Sequence, residues 1–170
     1  MDTLEQSTPS RTELTDSLLH TNVKRMLLGI VCGILSGFVM LAITTLFTPE
    51  GSSKLWWLQL AASMFHGGEA FSYEAGQSVF ITGFLIHLFF SGFCGFLLGK
   101  MTTTHSFQKL TTYGLVLGGL CWLASNMFGP DLFNVQGLDA VGEWARIAFF
   151  VPFGIIAGLL LAVTSRALRA

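Results

Sequence analysis

Charge is scarce in this chain: Asp, Glu, Lys and Arg make up 11% of 170 residues, less than half the share carried by a soluble domain. With 52% hydrophobic residues and a mean hydropathy of +0.64, too little polar surface remains to face water on every side. An ordinary water-soluble globule is therefore excluded. Positive charge is not in excess either. Nine Lys and Arg against ten Asp and Glu leave a net charge of −1, without the basic footprint of a nucleic-acid binder. Cysteine is limited to Cys32, Cys94 and Cys121, all inside apolar runs and without CxxC spacing, which reads as small core residues rather than a metal site. Nucleophile-elbow, phosphate-loop and HExxH patterns are absent from the sequence, so no catalytic residue is assigned. What is plentiful is Phe, with 16 residues, and Gly, with 19, the types that supply lipid-facing bulk and close helix contact.

A bilayer-spanning helix needs about 20 mainly apolar residues. The segments Met26–Phe47, Ser78–Gly99, Thr111–Phe128 and Arg146–Ser165 meet that length and composition. The expected fold is all-α: a polytopic four-transmembrane-helix bundle over residues 26–165, flanked by a polar, largely disordered tail at 1–25 and a short tail at 166–170. The first apolar run begins late and is too long for a secretory signal, so it reads as a retained span. Arg11, Lys24, Arg25, Lys100, Lys109, Arg166 and Arg169 fall on one side, against Lys54 and Arg146 on the other. By the positive-inside rule both termini are expected in the cytoplasm.

The connection between the first two spans holds a run rich in Trp, residues 55–65, too short to cross a bilayer. Trp56 and Trp57 suit headgroup depth, so a helix lying in the outer interface is expected; a helix packed on the outer ends of the bundle fits the pattern equally. The connection opening at Gly129, Pro130 and Asp131 reads as an ordered outer loop running to Glu143. Glu143 stands three residues before Arg146 and can pair with it on one helical face.

Small residues recur at four-residue spacing: Gly29, Gly33 and Gly37; Gly83, His87, Ser91, Gly95 and Gly99; Gly114 and Gly118; Gly154 and Gly158. Lipid gives helices no hydrophobic drive to associate, whereas flat glycine faces let backbones approach and gain dispersion contacts. The pattern also suggests an internal duplication, with Gly29 and Gly33 matching Gly114 and Gly118, and Ser91 and Gly95 matching Gly154 and Gly158.

His87 is the one histidine placed inside a span, where polar side chains are expensive and often functional. One reading is a neutral imidazole bonded to Ser36, Trp122 or Asn126 across the bundle, with Ser91 on the same face. The others are a proton relay or an axial haem ligand. Pro152 is expected to kink the last span.

The combination of Ile86, His87 and Leu88 with Ser91, Gly95, Tyr113 and Gly114 resembles small four-helix bacterial inner-membrane proteins of uncharacterised function. The resemblance implies architecture and a bacterial inner-membrane location but no activity. A polar residue often found in the fourth span of such proteins is replaced here by Phe149 and Phe150. The expectation is a non-enzymatic accessory or packing subunit, in lipid and against itself or other membrane chains, with no cofactor. A small oligomeric transporter or channel using His87, and a haem- or quinone-binding redox subunit, are the alternatives.

Overall fold

A chain this apolar must pair its backbone groups internally, and helices do so within one segment. The computed structural model describes the backbone of residues 11–48, 52–72, 76–102, 106–132 and 143–167, and side chains within 21–46, 48, 52–72, 76–102, 106–128 and 146–167. All regular structure among the described residues is helical: α1 (Arg11–Thr44), α2 (Trp56–His66), α3 (Gln77–Met101), α4 (Phe107–Leu132) and α5 (Glu143–Ala167), with 3-10 turns at Thr45–Phe47 and Gly67–Phe71.

The stretches Thr21–Thr44, Gln77–Met101 and Arg146–Ala167 are long and apolar enough to cross a membrane. Helix α4, at 26 residues, has the length, but Thr111, Thr112, Tyr113, Trp122, Ser125 and Asn126 dilute its hydropathy. Two boundaries differ from expectation. Residues 11–25, read as disordered tail, contain the start of α1, because a formed helix extends into adjoining sequence at little cost per residue. Helix α4 runs through Gly129, Pro130 and Asp131 to Leu132 rather than ending at Phe128. The loop at 133–142 lies outside the described residues, as does the Glu143 side chain.

Glycines set the helix pairing. A Cβ on Gly95 would strike the carbonyl of Gly29, one on Gly99 the carbonyl of Arg25, and one on Gly33 the carbonyl of Ser91. Helices α1 and α3 are therefore antiparallel and in backbone contact. Helices α4 and α5 repeat the arrangement: a Cβ on Gly154 would strike Gly114, one on Gly158 Leu110, and one on Gly118 Phe150. The correspondence corrects the sequence alignment by one turn, since Gly95 occupies the place of Gly154, not of Gly158. It also relates the contacts between the hairpins. Ser36 Oγ donates to the Phe153 carbonyl at 2.7 Å, and the equivalent positions, Cys121 and Cys94, bring their sulfurs to 3.5 Å. The two hairpins thus repeat one another in their internal pairing, while between them α1 packs along α5 far more extensively than α3 along α4.

Helix α2 breaks the repeat. It sits on the N-terminal part of α3, where Gly83 lets the Leu58 carbonyl approach with no side chain between. Seven of its 11 residues are buried, Trp56 and Trp57 among them, so the packed alternative describes it rather than a helix with its tryptophans in the headgroups. The reason is local. Thr44 ends α1, and its carbonyl, which the Thr48 hydroxyl also reaches, accepts the Trp57 indole N–H at 2.9 Å.

Candidate functional site

His87 projects from the middle of α3 toward α1. Its Nε2 lies 3.0 Å from the Gly37 carbonyl oxygen. A carbonyl only accepts, so Nε2 carries the hydrogen and donates. Glycine at 37 makes the contact possible: a Cβ there would come within 2.8 Å of Ser91 Cβ and 3.2 Å of His87 Nε2. Gly37 and Ser91, both buried, thus form the wall on which the imidazole rests.

The partners foreseen for His87 are not the ones it has. Ser36 neighbours Gly37 in sequence but turns to α5, where it donates to the Phe153 carbonyl. Asn126 Nδ2 donates within its own helix to the Trp122 carbonyl at 3.1 Å. Trp122 Nε1 finds no hydrogen-bond partner among the described residues. The structure therefore gathers His87 and Ser91 around Gly37, places Ser36 at the adjoining α1–α5 contact, and leaves Trp122 and Asn126 on the second hairpin. The packing residues Gly29, Gly33, Gly95, Gly114, Gly118, Gly154 and Gly158 all lie at helix–helix contacts, and Gly37 joins the histidine site as well.

Two aromatic residues complete the surroundings. The Phe149 ring lies 6.3 Å from the His87 ring and stacks on Trp57 at 5.1 Å, with planes 5° apart. Trp57 meets Trp56 edge-on at 5.5 Å. The column His87, Phe149, Trp57 joins α3, α5 and α2. Phe149 was visible in the sequence only as the place where a polar residue was missing. Trp57 was visible as an interfacial anchor. Neither residue carries a spacing signal that points to His87, because the column joins helices remote in sequence.

Chemically, this site can hold a proton or a hydrogen bond. The Nε2 edge, which would face iron in one alternative above, faces Gly37 instead, while Nδ1 is the nitrogen able to accept in the neutral ring. Among the described residues, no three of His, Cys, Asp and Glu come together in ligating geometry. Comparison with protein-family models, with curated proteins and with solved structures yields no match.

Proposed function

We propose that this chain is a four-span, non-enzymatic protein of a bacterial inner membrane, with both termini cytoplasmic, that serves as a packing or accessory subunit of a homo-oligomer or larger membrane complex. Three helices suit a membrane by length and composition. The fourth span is supported by the contact of α4 with α5, in which Gly114 and Gly154 meet backbone to backbone. A helix joined so closely to a spanning neighbour shares its depth. The orientation is supported by the basic residues gathered beside the chain ends and the α3–α4 connection.

The observation that carries the subunit reading is the outer face of α3. Leu85, Phe89 and Phe93 are exposed, and the rings of Phe89 and Phe93 lie parallel within 7° at 6.3 Å. Beside them runs an apolar groove of about 500 Å³, floored by Gly92 and bounded by Ile30, Ile34 and Phe96. Rigid stacked rings beside a groove suit a facing helix, since small residues in the floor admit close approach. Purification in mild detergent followed by mass measurement tests this. An assembly larger than one chain is expected, and its dissociation by Phe89→Ala together with Phe93→Ala would place the contact. A lone monomer at every detergent and protein concentration overturns the reading.

A further inference from the structure

The three cysteines divide into one that is sealed and two that meet. Cys32 is 1% exposed, and its sulfur lies 3.4 Å from the Thr164 hydroxyl, as suits a small core residue. Cys94 on α3 and Cys121 on α4 are half-buried free thiols whose sulfurs lie 3.5 Å apart. A disulfide holds its sulfurs at about 2.05 Å, so an approach of about 1.5 Å would join them. The pair also sits at a telling place. Helices α3 and α4 belong to different hairpins and touch lightly, whereas α1 with α3 and α4 with α5 are in long contact. A bond between these sulfurs would tie the hairpins on a side where packing holds them loosely.

Depth limits what can oxidise the pair. Both thiols stand well inside their helices, about 10 Å or more from either end at 1.5 Å per residue. In a hydrocarbon core about 30 Å thick, that depth keeps out ions and soluble thiol–disulfide enzymes. Lipid reaches the place instead. Phe90, one turn before Cys94, and Phe128, two turns after Cys121, are exposed, and so is Ala124. An oxidant working there must dissolve in hydrocarbon, take two electrons and leave no charge behind, since charge in that medium is costly. A quinone meets all three demands.

We infer that Cys94 and Cys121 form a reversible dithiol–disulfide couple that a lipid-soluble quinone oxidises within the bilayer. One sulfur adds to a quinone ring carbon while its proton passes to a ring oxygen. The second sulfur then attacks the first, the carbon–sulfur bond breaks, and its electron pair returns to the ring. The second thiol proton goes to the other ring oxygen. Two thiols and one quinone thus yield one disulfide and one quinol, with every species neutral.

Wild-type protein in liposomes, held under argon and given decylubiquinone, then alkylated and digested, tests the inference by mass spectrometry of its peptides. A peptide pair linked through Cys94 and Cys121 is expected to replace the alkylated thiols, with quinol formed in equal molar amount, and dithiothreitol is expected to release the link. The link should be lost in Cys94→Ser and in Cys121→Ser and kept in Cys32→Ser. The deciding measurements use wild type, so no variant's folding enters them. Thiols left free by the quinone but linked by copper–phenanthroline overturn the quinone as oxidant. Thiols left free by both overturn the couple itself. Equal linkage by dioxygen, or by tetrathionate in the surrounding water, without quinone overturns the assignment, as does linkage between chains instead of within one. The inference rests on α3 and α4 lying side by side in the bilayer, as the four-span reading has them. Labelling of Cys121 in liposomes by a membrane-impermeant maleimide would overturn both together, whereas failure of the quinone alone leaves the four-span reading standing.

Discussion

The two hairpins of this protein use one backbone design for different ends. In α1 and α3, as in α4 and α5, glycine steps of four residues bring carbonyls of one helix against Cα atoms of the other. The polar level above those steps then diverges. The first hairpin pairs His87 with Gly37 and is braced from outside by Trp57. The second sets Trp122 and Arg146 there, whose indole N–H and Nε–H find no partner among the described residues. A shared weld with an altered polar level shows that packing and polar chemistry are separable in such a bundle. Small residues fix the helix spacing, and the side chain one turn further on is free to take another role.

The largest test of the difference is Trp57→Ala, which removes the buried ring by which α2 bonds the end of α1 and stacks on Phe149 of α5. A loss of about 3–5 kcal/mol is expected from the cavity, measured by reversible unfolding in detergent. A loss below about 1 kcal/mol would mean that α2 does not brace the bundle. Next come Gly95→Leu and Gly154→Leu, at corresponding places in the two hairpins. Each should lose about 1–3 kcal/mol or more through overpacking, and unequal losses would show that the welds are not equivalent.

A smaller effect is expected from His87→Leu. The Gly37 carbonyl lies within α1, where helix bonding serves it as well, so removing the imidazole donor should cost about 1 kcal/mol. Flux measured in liposomes for this variant decides the transport alternative: a flux abolished by the substitution would return His87 to a conduction path and weaken the packing reading. The smallest effect belongs to Cys94→Ser and Cys121→Ser, which should each change stability by less than about 0.5 kcal/mol. In wild type, however, a mild thiol oxidant should link these residues, whose sulfurs are 3.5 Å apart, and gel mobility of proteolytic fragments would show it. No linkage would mean that α3 and α4 do not meet at this point.

Much of this arrangement was legible beforehand because lipid imposes few solutions. Long apolar runs give helices, and glycines at fixed intervals mark where helices touch. All the glycines singled out for packing occupy such contacts. The neighbours of His87 were not legible. Ser36, Trp122 and Asn126 were reasonable partners by residue type, but a backbone carbonyl carries no sequence signature. Glycine at 37 exposed that carbonyl, and in the sequence it reads only as another packing residue. The inward turn of Trp57 was equally hidden, since its acceptor is the carbonyl at the end of α1.

By itself, the sequence determined that the chain is helical, apolar and built on glycine contacts, because hydropathy and four-residue spacing are local properties that survive any arrangement of the helices. Only the tertiary structure decided the register of those contacts, the one-turn shift in the repeat and the identity of each polar side chain's partner. Those depend on which helix faces which, and a difference of one turn moves a donor about 5.4 Å, from a hydrogen bond to none.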